Sequence, residues 1–427
     1  MKKFNKQPVK GMPDYLPQDV ILREHVLSMI KETYETYGFY QIETPVMERI
    51  ENITGKQGGE NEKLIFWIMK RGAELARAIE KGTHEYADAG MRFDLTLPLS
   101  RYYANNCNVL PSPFKALQIG NVWRADQPQK GRFRQFTQCD IDILGDNSIL
   151  AEIELIAATS AMLTKIFAEV GISKFKVHVN DRRILKAMAQ YAGFPEEDYD
   201  KIFIILDKFD KIGIDGIKEE LEKDEYSSEM IEKYTGILDQ LEENMNCISF
   251  GEFLKESQCI EEEVLTNLDT ILTCVRKMVA ADVDIVFDPT LVRGMSYYTG
   301  TIFEISIDGY PFSIAGGGRY DEMIGKFSGN NVPACGFSIG FERIITILKD
   351  KYEELGQKPG RNKKCIAFLI EKGCEPEKMV EVLGEATELR KENCIVTVQP
   401  LKKNAKRQKE TLAADGYEDI RVVYRDK

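Results

Sequence analysis

The stretch VWRADQPQKGRFRQFTQCDIDILG (residues 122–145) decides the fold that the sequence predicts. Its second half, QFTQCDIDIL (135–144), places polar residues at alternate positions, and alternate residues of a β-strand share one face. One face carries Phe136, Gln138, Asp140 and Asp142, and the other carries Cys139, Ile141 and Ile143. The segment before it contains proline and glycine, so we expect a strand–loop–strand hairpin.

The loop of this hairpin is rich in cations, namely Arg124, Lys130, Arg132 and Arg134. Guanidinium groups bind phosphates through paired N–H donors. The hairpin is therefore typical of a clamp for an anion such as a polyphosphate. Arg343, where the segment GFSIGFERI (336–344) predicts the start of a helix, adds a further cation.

Two more segments carry polar groups beside predicted strands. RFDLTL (92–97) reads as a strand with Asp94 and Thr96 on one face, and Arg293, Tyr297 and Tyr298 precede the strand TIFEI (301–305). Taken singly, these polar faces could contact water, Arg293 could be a solvated surface charge, and the tyrosines could be strand packing. Taken together, they predict a binding site for a cationic small molecule that forms hydrogen bonds.

The glycine-rich run GGGR (316–319) is weak evidence for a phosphate-binding loop. It lacks the Lys-Ser/Thr pair of a P-loop and does not lead from a strand into a helix. We expect instead a place where the backbone approaches a ligand closely.

Composition excludes several classes of protein. The chain has 427 residues, 43% of them hydrophobic and 30% charged, which is typical of a soluble protein of two or three domains. The nine cysteines form no CxxC pair and the three histidines are far apart, which argues against a zinc site and a Ser–His–Asp triad. The cysteines indicate a reducing cytoplasm. Because no apolar run approaches about 20 residues and no apolar core follows the first lysines, we expect neither a membrane span nor a secretory signal.

The net charge of −12 argues against non-specific nucleic-acid binding. One basic run, LKKNAKRQK (401–409), is either a solvated helix face or a local patch for an anionic partner.

The order of the predicted elements indicates several domains. Helices are expected at 21–38 and 149–171, each followed by glycine, and residues 181–278 are acidic and helical. A polar Pro/Gly segment (351–363) reads as a linker. Beyond it, residues 364–427 alternate β-α-β-α-β, which predicts a small α/β domain with a mostly parallel sheet.

Five segments together resemble the class II aminoacyl-tRNA synthetases, and within them the histidine–tRNA ligases. KGMPDYLP (10–17) with GFYQIETPVME (38–48) is similar to their first motif, residues 122–145 to the second and GFSIGFERI to the third. LVRGMSYYTGTIFE (291–304) resembles the peptide peculiar to the histidine enzymes. The resemblance implies an α+β fold, an antiparallel sheet flanked by helices, interrupted by a helical insertion and followed by the small C-terminal domain. The expected boundaries are 1–180 and 279–350 for the catalytic domain, 181–278 for the insertion and 364–427 for a shortened anticodon-binding-like domain.

The resemblance also implies roles for individual residues. Histidine would be bound by Asp94, Thr96, Arg124, Gln138, Asp142, Arg293, Tyr297, Tyr298 and Tyr320. ATP would be bound by Arg124, Asp126, Arg132, Phe136 and Arg343. Arg124 and Arg293 would be catalytic, stabilising the charge that develops on the α-phosphate.

The implied partners are L-histidine, ATP with Mg²⁺, tRNA(His) and a second copy of the chain, in the cytoplasm; no metal ligands are identified. Ser296 stands where the family commonly has an acidic residue. By the same resemblance, we expect the C-terminal domain to be shorter than the anticodon-binding domain of the family. Two alternatives remain open. One is a catalytically silent paralogue that regulates ATP phosphoribosyltransferase, and the other is a relative that transfers histidine to another acceptor.

Overall fold

The computed structural model describes residues 4–54, 61–81, 85–128, 131–241, 246–292, 297–356 and 363–425. The chain divides into two compact units, one made of residues 1–14 and 26–351 and the other of residues 15–25 and 352–427. None of the helices in these described ranges is both long and apolar enough to cross a membrane.

The strands supply one large sheet and two small ones. In chain order they are β1 (Tyr40–Ile42), β2 (Met47–Arg49), β3 (Phe66–Met69), β4 (Ala87–Met91), β5 (Phe114–Trp123), β6 (Gln135–Leu144), β7 (Phe175–Asp181), β8 (Val283–Phe287), β9 (Thr301–Ser306), β10 (Ala315–Arg319), β11 (Ala334–Gly340), β12 (Cys365–Ile370), β13 (Ile395–Pro400) and β14 (Asp419–Val423).

The helices are α1 (Pro17–Thr36), α2 (Ile50–Ile53), α3 (Gly72–Glu80), α4 (Thr96–Asn106), α5 (Leu150–Ala168), α6 (Arg182–Ala192), α7 (Tyr199–Leu206), α8 (Phe209–Lys223), α9 (Ser228–Leu238), α10 (Cys247–Glu256), α11 (Glu262–Met278), α12 (Gly325–Ser328), α13 (Phe341–Glu354), α14 (Pro376–Lys391) and α15 (Ala405–Ala414).

The large sheet has the strand order β1-β5-β6-β11-β10-β9-β7-β8. Its middle is antiparallel, as expected, and only the outermost pairs, β1 with β5 and β7 with β8, are parallel. The predicted hairpin is confirmed: β5 and β6 pair over their whole length, and the buried residues Cys139, Ile141 and Ile143 lie on one face of β6. The opposite face of β6 carries the polar residues and can therefore form part of a site.

The predicted strand at 92–97 is wrong. Strand β4 ends at Met91, and helix α4 begins at Thr96. Asp94 Oδ1 accepts a hydrogen bond from the backbone N–H of Leu97 at 3.1 Å, so its carboxylate satisfies a donor of the first helical turn. Pro98 also belongs to that turn, where a missing N–H costs nothing. These local signals outweigh the polar–apolar alternation.

The glycines of β10 are required by the strands on either side. Strand β10 is central and fully buried, between β9 and β11. A Cβ on Gly317 would collide with the carbonyl oxygen of Gly336, and one on Gly318 would lie 2.9 Å from the ring of Tyr298. The expected close approach is therefore made, at these two positions, to neighbouring strands and to a tyrosine.

In the C-terminal unit, β12, β13 and β14 form a parallel sheet in the order β13-β12-β14, which confirms the predicted β-α-β-α-β pattern. Ile366 and Phe368 pack against Val382 and Ala386 of α14 on one face, and Leu412 of α15 packs on the other. The predicted linker begins too early, because α13 continues to Glu354. Residues 357–362 of that segment lie outside the described ranges.

Candidate active site

A cavity of about 950 Å³ opens on the polar face of the large sheet. Its walls come from β6, β9, β10 and β11, from the first residues of α4 and α13, and from the turn after β8. Every predicted site residue that the structure describes lines it: Asp94, Thr96, Arg124, Asp126, Arg132, Phe136, Gln138, Asp142, Tyr297, Tyr298, Tyr320 and Arg343. Arg293, and Lys130 of the hairpin loop, lie outside the described residues.

The floor of the cavity holds polar atoms that have no partner. Gln138 Nε2 donates to Ser338 Oγ on the neighbouring strand at 2.9 Å, but Gln138 Oε1 has no hydrogen-bond partner among the described residues. The same holds for Asp140 Oδ1 and Asp142 Oδ2. A buried acceptor without a donor is costly, so three of them on one strand face indicate a ligand rich in N–H groups.

Asp142 accepts a hydrogen bond from a tyrosine and lies opposite a glycine that leaves room for its carboxylate. The Tyr320 hydroxyl donates to Asp142 Oδ1 at 2.5 Å. A Cβ on Gly336, opposite Asp142 in the sheet, would collide with that same oxygen, so glycine there makes room for the carboxylate. Burial raises the pKa of Asp142 to about 7, helped by the nearby Asp94 and opposed by the Tyr320 hydrogen bond. Burial beside Asp142 likewise raises the pKa of Asp140 well above its ordinary range.

Three tyrosines form the side wall near Asp142. The ring centroids of Tyr297 and Tyr298 are 4.8 Å apart, and those of Tyr297 and Tyr320 are 6.0 Å apart. Tyr298 and Tyr320 are buried. Together with Asp142 they line a part of the cavity that is both aromatic and polar, which suits a small heteroaromatic ring.

Arg124 joins the entrance of α4 to β6. Its Nε donates to the carbonyl oxygen of Phe93 at 2.9 Å, and its guanidinium lies 5.1 Å from the centroid of the Phe136 ring. Asp94 is buried nearby, and burial raises the pKa of its carboxyl even though Arg124 and the Leu97 N–H lower it. The correction to residues 92–97 therefore changes the element that carries Asp94 and Thr96, and both still line the cavity.

The hairpin end of the cavity is cationic and aromatic. Phe136 lies six residues before Asp142 on β6, about 20 Å along the strand. Arg132 is exposed there. Arg343, at the start of α13, donates to the carbonyl oxygen of Ser313 at 2.5 Å, and its guanidinium lies 5.4 Å from the Phe312 ring. The cavity thus offers carboxylates and amides for N–H groups near Asp142, and cations with an aromatic ring for a nucleotide at the hairpin end.

Sequence reasoning gave no role to several polar residues of the cavity wall, four of which make contacts that bear on the site. Asp140 was placed on the correct face of β6 without a role, and Glu342, the neighbour of Arg343, accepts from the Thr137 N–H at 3.1 Å. His178 was set aside because the histidines are scattered, and Asp288 was not considered, yet the two side chains contact each other at 2.9 Å. Alternation along 135–144 could have identified Asp140, whereas only the pairing of β7 with β8 joins His178 to Asp288.

The comparison with protein families agrees with this geometry. A family model described as histidyl-tRNA synthetase matches residues 11–344, which include every strand of the cavity. The chain belongs to the histidyl-tRNA synthetase family. The match ends before the C-terminal α/β unit begins its sheet at Cys365.

Curated relatives and solved structures of the histidyl-tRNA synthetase family extend the likeness. A protein of Leifsonia xyli named histidine–tRNA ligase is 44% identical over 353 residues, 80% of each chain. One of Cytophaga hutchinsonii with the same name is 34% identical over 350 residues, 80% of this chain and 76% of its own. The crystal structure of histidyl-tRNA synthetase from Nostoc sp. PCC 7120 has a TM-score of 0.76 at 28% identity, covering 97% of this chain and 90% of its own.

A second solved structure bears on the fold alone. It comes from Bacillus halodurans and is titled an ATP phosphoribosyltransferase regulatory subunit/histidyl-tRNA synthetase. Its TM-score is 0.75 at 21% identity, and the likeness covers 100% of both chains. The fold is therefore shared with a protein described by both functions, so the likeness in fold does not distinguish between them.

Proposed function

We propose that this protein attaches L-histidine to tRNA(His) in two steps. The histidine carboxylate first attacks the α-phosphorus of ATP, which forms histidyl-adenylate and releases pyrophosphate. A ribose hydroxyl at the end of the tRNA then attacks the activated carbonyl and releases AMP. The observation that carries the proposal is the single cavity in which buried, unpartnered acceptors on β6 share one strand face with Phe136, beside Arg124.

The amino-acid half of the cavity fits histidine. Asp94 and Thr96 would accept from the α-amino group, with Gln138 beside them. Asp142 Oδ2 would accept from an imidazole N–H, while Tyr297, Tyr298 and Tyr320 would enclose the ring. Because these groups hydrogen-bond a polar side chain, the site would reject amino acids that lack it by about 10⁴–10⁵-fold without an editing domain.

The hairpin half of the cavity fits ATP. The resemblance assigns the α-phosphate to Arg124, the adenine amino group to Asp126, the adenine ring to Phe136 and the outer phosphates to Arg132 and Arg343, all of which line the cavity. Arg293 is proposed to stabilise the negative charge that develops on the α-phosphate. This residue lies outside the described ranges. No protein nucleophile takes part, so positioning and electrostatic stabilisation supply the rate enhancement.

Mg²⁺ would enter with the nucleotide. No group of three or more His, Cys, Asp or Glu side chains that could form a protein-only metal cage occurs in the described ranges. Mg²⁺ needs no such cage, because it commonly keeps its waters and binds substrate phosphates with one or two carboxylates. Glu342, beside Arg343 on the cavity wall, is the carboxylate we propose for this role.

The regulatory alternative predicts loss of the nucleotide-binding residues. Here Arg124, Arg132 and Arg343 line the same cavity as Gln138 and Asp142. Retention of both halves supports the enzyme over the silent paralogue.

A homodimer in the cytoplasm completes the proposal. Strand β1 is an edge of the large sheet, and unpaired edges of that kind invite a partner. Large apolar side chains in the segments of β1, β2 and β3 are more than half exposed: Tyr40 (60%), Met47 (53%), Trp67 (51%) and Met69 (56%). Exposed apolar side chains of this size are typical of surfaces that bind a protein partner, here proposed to be a second copy of the chain.

Aminoacylation tests the proposed function directly. We expect the purified protein to transfer labelled histidine to a tRNA(His) transcript in the presence of ATP and Mg²⁺, and to leave a tRNA of another specificity uncharged. Formation of the adenylate without transfer to any tRNA would favour a different acceptor. Absence of both reactions in a folded protein would favour the regulatory paralogue.

The basic helix α15 is proposed to contact the tRNA. Lys406 and Lys409 of this helix, and Lys403 just before it, are exposed. Phosphate contacts by lysine release counterions and dominate affinity. We expect the triple change of these lysines to glutamate to raise the KM for tRNA about tenfold or more and to leave ATP–pyrophosphate exchange unchanged. The matched control changes three exposed lysines of the insertion that do not line the cavity, Lys223, Lys233 and Lys277, to glutamate. Equal KM values for the two triple variants would show that α15 does not contact the tRNA.

A further inference from the structure

His178 connects three strands at the wall of the cavity. It lies in β7, where the sheet pairs it with Glu304 of β9 and Val286 of β8. Its Nδ1 is 2.9 Å from Asp288 Oδ2, and its Nε2 is 2.9 Å from Ser306 Oγ. Both ring nitrogens are therefore engaged, and the orientation of the imidazole is fixed.

Asp288 organises the turn that follows β8. Its second carboxylate oxygen, Oδ1, accepts from the N–H of Thr290 at 3.0 Å and from the Thr290 hydroxyl at 2.6 Å. Its carbonyl oxygen accepts from the Leu291 N–H at 3.0 Å, and its own N–H donates to the carbonyl oxygen of Val179. Asn180 of β7 donates to the carbonyl oxygen of Leu291 at 3.1 Å. The turn 288–291 is thus tied to β7 by its backbone and by two side chains.

This turn delivers the chain to the cavity. Leu291 and Val292, which come directly after it, are buried and line the wall, and the same segment continues in sequence to Tyr297 and Tyr298. We propose that His178 is a positioning residue of the adenylation site, acting through its hydrogen bond to Asp288 to hold the 288–292 segment in place. The inference rests on the proposed function, and it concerns residues that the family resemblance did not assign.

The order Ser306–His178–Asp288 also resembles a nucleophile–base–acid chain, but the surrounding charges oppose that chemistry. Although burial lowers the pKa of His178, hydrogen bonding to Asp288 and the charges of Asp288, Glu304 and Asp210 outweigh it and raise that pKa. Three carboxylates beside the ring would destabilise an oxyanion formed there. The network is suited to holding structure.

Two amide variants separate the two contacts of the ring. The side-chain nitrogen of asparagine occupies about the place of Nδ1, and that of glutamine about the place of Nε2. His178→Asn therefore keeps a donor for Asp288, whereas His178→Gln keeps a partner for Ser306 and loses Asp288. Ser306→Ala removes the opposite contact alone and serves as the control.

The first readout is histidine-dependent ATP–pyrophosphate exchange. We expect His178→Gln to lower kcat about tenfold, the usual effect of a lost charge-assisted hydrogen bond, with little change in KM for ATP. His178→Asn and Ser306→Ala should stay within about threefold of the wild type. Equal kcat values for the asparagine and glutamine variants, or a kcat that follows thermal stability alone, would overturn the proposal.

The second readout is independent of activity. The amide hydrogens of Thr290 and Leu291 are held by Asp288, so their exchange with solvent reports the turn directly. We expect faster hydrogen–deuterium exchange of the peptide spanning 286–292 in His178→Gln than in His178→Asn. Identical hydrogen–deuterium exchange in the two variants would refute the positioning role, whether or not the protein forms an adenylate. Absence of adenylate formation in the wild-type protein would refute the proposed function.

Discussion

Asp142→Asn is expected to lower histidine-dependent ATP–pyrophosphate exchange by about 10²-fold or more, since a buried acceptor for the imidazole becomes partly a donor. The change keeps the shape of the side chain, and asparagine Oδ1 can still accept from the Tyr320 hydroxyl, which now bonds Asp142 Oδ1. Only the charge and the unpartnered Oδ2 acceptor are lost. Tyr320→Phe, which removes the supporting hydroxyl but leaves the carboxylate, should have the smaller effect.

The same variant should stabilise the ligand-free protein at alkaline pH. Burial raises the pKa of Asp142 from an ordinary value of 3.8 to about 7. Between those values the folded state holds a proton that the unfolded state has lost, so the free energy of unfolding falls as pH rises through this window. The full effect of such a shift is on the order of 4 kcal/mol. Asparagine does not titrate, so the variant does not lose this free energy of unfolding as pH rises.

Thermal unfolding of both proteins at pH 5 and pH 8 checks the expectation. The Tm of Asp142→Asn should exceed that of the wild type by more at pH 8 than at pH 5. A variant that is less stable than the wild type at pH 8, or that keeps full exchange activity, would contradict the assignment of Asp142 as a buried carboxylate held ready for a ligand.

Arg124→Lys is expected to lower the kcat of exchange by about 10²–10³-fold. The guanidinium now spans from the carbonyl oxygen of Phe93 to the face of the Phe136 ring. Its planar fork has N–H groups left over for an α-phosphate, and a lysine ammonium cannot fill all three positions. Arg124 is half-buried at the cavity wall, so the fold should tolerate the change.

Arg134→Lys is the matched control for this variant. Arg134 belongs to the same hairpin and is half-buried, and its Nε donates to a backbone carbonyl, that of Asp126, at 2.9 Å. It is not among the residues that line the cavity. Steady-state exchange at saturating histidine and ATP should therefore distinguish the two variants. Equal losses of kcat would mean that Arg124 supports the hairpin and not the reaction.

The parts of the site that the sequence predicts well are local. The face of β6 that carries Gln138 and Asp142 follows from strand alternation over ten residues and needs no tertiary information. The same alternation misleads at 92–97, where the Asp94 carboxylate caps the helix that begins at Thr96. A short polar–apolar pattern is compatible with a strand and with the start of a helix, and capping decides between the two.

The parts that the sequence does not predict depend on contacts between distant segments. His178 and Asp288 are 110 positions apart and meet only because β7 and β8 are parallel neighbours at the sheet edge. The hydrogen bond from Tyr320 to Asp142 joins residues 178 positions apart. Neither pair leaves a periodic signal in the sequence. The family resemblance assigns both Tyr320 and Asp142 to the pocket but does not predict the hydrogen bond between them.

The measurement that tests the central claim most directly is ATP–pyrophosphate exchange with each of the twenty amino acids in turn. The geometry around Asp142 predicts exchange with histidine alone, and strongly reduced exchange in both Asp142→Asn and Arg124→Lys. Exchange with another amino acid, or none with histidine in a protein shown to be folded, would contradict the claim that this cavity activates histidine.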